Sequence, residues 1–334
     1  MSETLPALPD VGLARADVSA FRVDGVDYRW SHVLAHAHRR GDRRMLETEV
    51  QQALACLRLA AEDGPPLARE AERSTAVAFR RARRLLAAED LEAWLAARNL
   101  TVAQWRHYIR GEALRRRHAA ELDVVVERSR VDAAAVQEQF GLWGWCSEAI
   151  PRWAEQLASR VAAAHASSEH AGDPRPDPHD LDTLEELYDR FAADAATADR
   201  LEALLAARYL DWLRLEIDMA VFDSPDTAAE ARLCIRDDGW SLSEAARAGQ
   251  ARLQRRDLLV EAFDADIRHV FVRAREGDLL GPLPVAGRPT LVQVRRKAAP
   301  SRDDEELRLA ATREIVATVV AREVDDRVEW LHPR

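Results

Sequence analysis

Cysteine is scarce in this sequence, with three residues in 334, and Cys56, Cys146 and Cys234 lie far apart with no CxxC pair. That rules against a disulfide framework or a cysteine zinc site and suits buried thiols in a reducing compartment. Lysine is almost missing: Lys297 stands alone, and every other basic side chain except histidine is arginine. Acidic residues outnumber basic ones, 58 to 48, for a net charge of −10. Phosphate contacts need a basic surface, so a general nucleic-acid binder is excluded. The arginine runs at 80–84 and 115–117 are flanked by acids and read as solvated helix faces. No apolar run is long enough to span a membrane. The opening MSETLPALPDVGLARAD lacks a basic segment followed by an apolar one, so the expectation is a cytoplasmic protein without a signal peptide. G-x-S-x-G, GxGxxG, Walker A and HExxH patterns are missing, which leaves hydrolase, dinucleotide, kinase and zinc-protease chemistry without support. Asp237-Asp238-Gly239 lacks the spaced carboxylates of a calcium loop.

What is present points to a largely helical chain, long enough for two domains. After a loose lead-in (1–19), FRVDGVDYRW reads as a hairpin around Asp24-Gly25, and Ser31 is placed to cap the helix that follows. His32, His36 and His38 sit on that helix. His32 and His36 are one turn apart, as two metal ligands would be, but no Glu or Cys completes a set; the spacing predicts a polar face near solvent and no metal. A helix from Met45 to Ala61 stops at Asp63-Gly64-Pro65-Pro66, and Thr101 with Gln104 has the form of a capping box. Trp143, Trp145 and Trp153 cluster around an expected break at Gly144 and Pro151, either as a core plug or as an exposed shelf for a peptide. HASSEHAGDPRPDPHD, with His165, His170 and His179, reads as a flexible linker with nothing to bury. Beyond Pro300 a last helix presents Leu307, Ala311, Ile315, Val316, Val319 and Val320. Val328-Glu329-Trp330 has strand character and suits pairing with the hairpin at 21–28.

Between Trp212 and Val294 the pattern changes. LRLEIDMAVF reads as a strand, TAAEARLCIRDDG, SLSEAARAG and IRHVFVRAREG as helices, GDLLGP as a turn, and PTLVQVRRK as a closing strand. This order, with DG-[apolar]-SLSEAA and GDLLGPL in it, resembles the parvulin family of peptidyl-prolyl isomerases. LEAWLAARNLTVAQWRHYIRGEALRRR resembles the helical part of SurA-like chaperones, and more closely that of parvulin-like proteins associated with maturation of ribosomally made peptide natural products.

The resemblance implies an α+β fold, mostly α. Its parts are a SurA-like helical lobe (20–163 and 303–334), a flexible linker (164–180), a connecting helix (181–211) and a small degenerate parvulin-like β-α-α-α-β domain (212–298). The C-terminal helix is expected to pack on the N-terminal helices. Parvulins usually carry one histidine on the first strand and one on the last. Here the first strand has Arg214, Glu216 and Asp218 on one face, the last has Arg288, Thr290 and Gln293, and the domain's one histidine is His269, on a helix. The expectation is therefore a peptide-binding, chaperone-like accessory protein rather than an enzyme, with Arg214, Glu216, Asp218, Phe263, Arg288 and Thr290 lining the peptide groove. Its partners would be a peptide or unfolded segment, such as a precursor peptide, together with the enzymes that modify it, with no cofactor, nucleic acid or membrane involved. Two alternatives stay open. One is an active isomerase using Glu216, Asp218 and Thr290. The other is a structural subunit of a modifying-enzyme complex.

Overall fold

The computed structural model describes residues 17–62 and 67–332. The stop at 63–66 and nearly all of the lead-in at 1–19 lie outside the described residues. The fold is α+β and mostly helical, and the chain divides into two compact units. One runs up to Phe191 and resumes at Val320; the other is Ala192–Val319.

The first unit opens with β1 (Ser19–Val23) and β2 (Val26–Arg29), joined through Asp24 and Gly25 at φ 48° and 85°. Asp-Gly suits this turn because both central residues take positive φ. The C-terminal β7 (Val328–Trp330) pairs antiparallel with β1, Phe21 opposite Trp330, giving the order β2-β1-β7. Between these strands lie α1 (Trp30–Arg39), α2 (Asp42–Glu62), α3 (Arg69–Ala82), α4 (Ala88–Ala96), α5 (Val102–Arg117), α6 (Leu122–Ser129), α7 (Ala133–Cys146), α8 (Ala149–Ala171) and most of α9 (Leu181–Ala195).

Several local expectations hold and several do not. Gln104 N–H donates to Thr101 Oγ1 and Thr101 N–H to Gln104 Oε1 (3.2 and 2.8 Å), the reciprocal cap of α5. Ser31 does not cap α1: the helix already includes Trp30, and the Arg29 N–H is taken by His32 Nδ1 at 3.1 Å. The tryptophans are a core plug and not a shelf, with Trp143 fully buried and Trp145 and Trp153 nearly so. The helix break falls at Ser147 and Glu148, where Glu148 is left-handed; Gly144 stays inside α7, at a position where a side chain would meet Ile150. His32 and His36 are buried, so the face expected near solvent belongs to the core. The linker expectation fails over 164–171, which complete α8. His165, Ser167 and Ser168 are buried there, since the polar run continues the inner face of a helix already anchored by Val161 and Ala164.

The second unit contains α10 (Ala198–Ala207), β3 (Arg214–Val221), α11 (Pro225–Asp237), α12 (Leu242–Ala248), β4 (Arg252–Leu259), α13 (Ala265–Arg273), β5 (Leu279–Val285), β6 (Arg288–Ala298) and α14 (Glu305–Arg327) as far as Val319. The sheet is antiparallel, ordered β4-β3-β6-β5. It has two strands more than the expected β-α-α-α-β: RLQRRDLL is β4, and LLGPLPV, read as a turn, is β5. Leu215, Ile217, Met219, Val292 and Val294 pack on one side against Phe263, Ile267 and Phe271. Ala220, Phe222 and Leu291 pack with α11 and α12. Lys297 donates to the carbonyls of Phe271, Val272 and Ala274, closing the C-terminal end of α13 with the chain's one lysine.

The face of α14 also differs from expectation. Leu307 and Ala311 are buried with Leu205 and Trp212, in the second unit and not on the N-terminal helices. From Val320 on, the same helix belongs to the first unit.

Gly281 in β5 has φ +105°, and a Cβ there would lie 2.5 Å from the Thr290 carbonyl oxygen and 2.9 Å from Leu283 N. Both obstacles are backbone in a paired strand and cannot swing away. Gly281→Ala should cost about 2–4 kcal/mol, the upper part of the roughly 1–3 kcal/mol of strained backbone sites plus the shift of paired backbone that the clash requires. Gly277→Ala, where added space is free, should cost about 1 kcal/mol. Urea unfolding with hydrogen exchange of β5 and β6 checks this; equal losses in the two variants would refute it.

Candidate functional site

The β3 alternation puts Arg214, Glu216 and Asp218 on one face of the sheet and Leu215, Ile217 and Met219 on the other. Antiparallel partners share a face, so the register places the remaining candidates. Thr290 opposes Val221 and lies on the Ile217–Met219 side, in line with Val292 and Val294. Phe263 is on that same side, stacked on Phe271 at 3.8 Å between centroids. The six expected residues are therefore split between two faces. Glu216 and Asp218 share a face; Thr290 is behind them, fully buried, its hydroxyl donating to the Arg288 carbonyl at 3.0 Å.

On the charged face each expected residue already has partners. Arg214 reaches Glu306 (2.6 Å), Asp304 (3.1 Å) and Asp257 (3.3 Å). The hydrogen bond to Glu306 in particular raises its pKa and keeps the guanidinium charged. Glu216 lies between Arg296 (3.4 Å) and Arg255 (3.5 Å). Asp218 is held by Arg295 at 2.7 Å. The strand geometry supplies that last contact. The β3–β6 register slips where Glu216 faces Arg296 and Ile217 faces Val294, so Arg295 is the extra residue of a bulge. Arg288 follows the Ala286-Gly287 turn and pairs with Asp223 at 2.6 Å.

Chemically, this face is a ladder of alternating charges. Its carboxylates are neutralised by arginines, and nothing nucleophilic is placed among them. A general base needs a free carboxylate within reach of a proton; here the carboxylates accept from guanidinium groups instead. Sequence reasoning missed Arg255, Arg295, Arg296 and Asp257. They fall in β4 and in the bulge, and a bulge leaves no mark in a sequence of arginines. Among the described residues no group of three or more His, Cys, Asp or Glu is arranged to hold a metal ion. No helix among them is long and apolar enough to cross a membrane.

In the first unit, a 440 Å³ hollow lies between α2 and α7, lined by Arg44, Glu47, Gln51, Val131, Val136 and Gln137. A smaller one of 310 Å³, between α3 and α5, includes Arg69, Arg73, Arg106 and Trp105. In the second unit Cys234 and Trp240 border a 160 Å³ cleft between α11 and α12.

No family model matches the sequence, and no curated protein matches it. Among solved structures, the chain is similar to one from Campylobacter jejuni reported with PEB4 and Cj1289, described as "two structurally related SurA-like chaperones". The similarity spans 74% of this chain and 95% of that one, with 13% identity and a TM-score of 0.18. At that score it carries no argument about what this chain does.

Proposed function

We propose that this chain is a peptide-binding, chaperone-like accessory protein whose second unit is a parvulin-like domain without isomerase activity. The observation that carries this reading is the split of the candidate acids and hydroxyl. Glu216 and Asp218 are on one face of the sheet and Thr290 is sealed behind it, so the three share no pocket around a prolyl bond. Rotation about that bond faces a barrier of about 18–20 kcal/mol. Lowering it needs a desolvated site that grips both sides of the amide, and an ion-paired surface ladder is not one.

The client is an extended or unfolded segment. By the resemblance of its helical and GDLLGP motifs, it is a precursor of a ribosomally made peptide natural product, held for its modifying enzymes in the cytoplasm. The test is a proline-peptide isomerisation assay on the purified protein, run beside a binding assay with unfolded, carboxymethylated protein. Binding is expected, with isomerisation no faster than the uncatalysed rate. Acceleration that disappears in Glu216→Ala or Asp218→Ala would replace this reading with that of an active isomerase.

A further inference from the structure

The sheet of the second unit has two edges, and they are chemically unlike. β5 carries Pro282 and Pro284, which have no N–H to donate, and its register breaks between Leu280 and Leu283. β4 has neither defect. Its eight residues run in unbroken register along β3, from Arg252 opposite Val221 to Leu259 opposite Arg214. In such a ladder every second residue of the outer strand turns its N–H and C=O away from the sheet. β4 is an outer strand, so among the described residues those groups face no neighbouring strand.

The side chains of β4 define what would fit there. Arg252 and Arg256 project on one face and Arg255 on the other, and all three are exposed. Arg255 is 71% exposed and reaches Glu216 only at 3.5 Å, and Arg256 donates to Gln254, a neutral partner, at 2.7 Å. The one acid in the strand, Asp257, is engaged by Arg214 at 3.3 Å. Three cations within five residues, on a chain with a net charge of −10, form a local basic strip along a backbone edge.

We propose that β4 takes up an extended acidic segment as a fifth strand of this sheet. Main-chain hydrogen bonds supply the attachment. The three arginines select carboxylates on both faces of the incoming strand, whose side chains alternate in the same way. This deepens the peptide-binding reading and rests on it. The competing account is that the arginines only guard the edge against self-association, and the experiment separates the two.

The probes are a fluorescent octapeptide of Val and Glu, its Lys-for-Glu counterpart, and a Val/Glu peptide N-methylated at alternate amides, each titrated against the full-length protein by anisotropy. The Glu peptide should bind about tenfold or more tighter than the Lys peptide, and should weaken from 50 to 300 mM NaCl. It should slow amide exchange in β4. The N-methylated peptide should lose most of this affinity, because it keeps the charge but not the ladder. Arg255→Glu combined with Arg256→Glu should invert the charge preference while leaving the circular dichroism unchanged, since both side chains are at the surface. Equal binding of the Glu and Lys peptides, unprotected β4 amides, or a double variant that binds as wild type would overturn the edge site and leave peptide binding elsewhere standing. Failure to bind any of these peptides or unfolded carboxymethylated protein would overturn the peptide-binding reading itself.

Discussion

A chain ended after Val319 loses the stability of its first unit while the sheet of its second unit survives. The fifteen residues removed include β7, which pairs with β1 from Phe21–Trp330 to Val23–Val328. Leu331 N–H also donates to the Ala20 carbonyl at 3.2 Å. The cut removes Arg327, whose guanidinium is bonded to Asp24 (2.8 Å), Glu169 (2.7 Å) and Glu323 (2.7 Å). Burial would lower its pKa, but those three hydrogen bonds raise it above the ordinary arginine value. Asp24 would be left beside His165 Nδ1 at 3.3 Å, with His165 Nε2 3.0 Å from the Tyr28 hydroxyl in the buried part of the hairpin. Charge-assisted bonds contribute about 1.5–3 kcal/mol each, and Trp330, packed on Phe21, adds apolar contact. The expected loss is about 4–6 kcal/mol, a large share of the 5–15 kcal/mol typical of a whole domain. A cut before Glu305 reaches further: it removes Leu307 and Ala311, which are fully or almost fully buried, and uncovers Leu205 and Trp212 in the second unit. Limited proteolysis with hydrogen exchange distinguishes the two truncations. If the shorter cut leaves β1, α1 and α8 as protected as in the full chain, the C-terminal strand is not what holds this unit together.

How much of this was legible from the sequence depended on how local the determinant was. The Asp24-Gly25 hairpin and the Thr101–Gln104 cap are set within four residues, and both formed. The first and last strands of the second unit alternate apolar residues with polar ones, and both were readable. β4 was not, because RLQRRDLL has one apolar residue, Leu253, before its closing Leu258-Leu259 pair and so shows no alternation; as an edge strand it has no second neighbour to demand more. β5 was hidden by Pro282 and Pro284, which argue against a strand unless it lies at an edge. The arrangement of the candidate residues was only partly legible, for a different reason. Spacing along β3 correctly put Arg214, Glu216 and Asp218 on one face, but which face Thr290 would share depended on strand order and on the bulge at Arg295. Both are tertiary facts. The buried polar residues His165, Ser167 and Ser168 were lost to composition: His and Ser read as linker unless one knows that Tyr28 and Asp24 wait beside His165.

That hidden polarity sets the response to acid. Stability of the first unit should fall steeply as pH drops from about 6.5 towards 4. His32 and His36 are buried, at 7% and 2% exposure. Burial, reinforced for His32 by His179 and Arg29, pushes its pKa down to about 4, against the pull of Asp177. His36 is lowered to about 4 by burial, then by Arg160, Arg40 and Arg39, against Asp42; Glu185 Oε1 also lies 3.9 Å from its Nδ1. His32 Nδ1 accepts the Arg29 N–H, so the neutral ring carries its proton on Nε2, and a second proton would have to displace that bond. His165 shifts the same way, burial outweighing Asp24. Between the free-imidazole value and about 4 the unfolded chain takes up protons that folded His32 and His36 refuse, so these two rings stabilise the fold fully above pH 6.5 and progressively less below it. The gap is worth about 3 kcal/mol for each of the two at its largest. Urea titrations from pH 7.5 to 4.5 should show that decline. His32→Asn combined with His36→Leu, which keeps an acceptor for Arg29 and fills the second site with an apolar side chain, should flatten the curve even if it lowers stability at pH 7.5. A wild-type midpoint that does not move over this range, or a double variant with the same slope, would place these two rings in contact with water and contradict their burial.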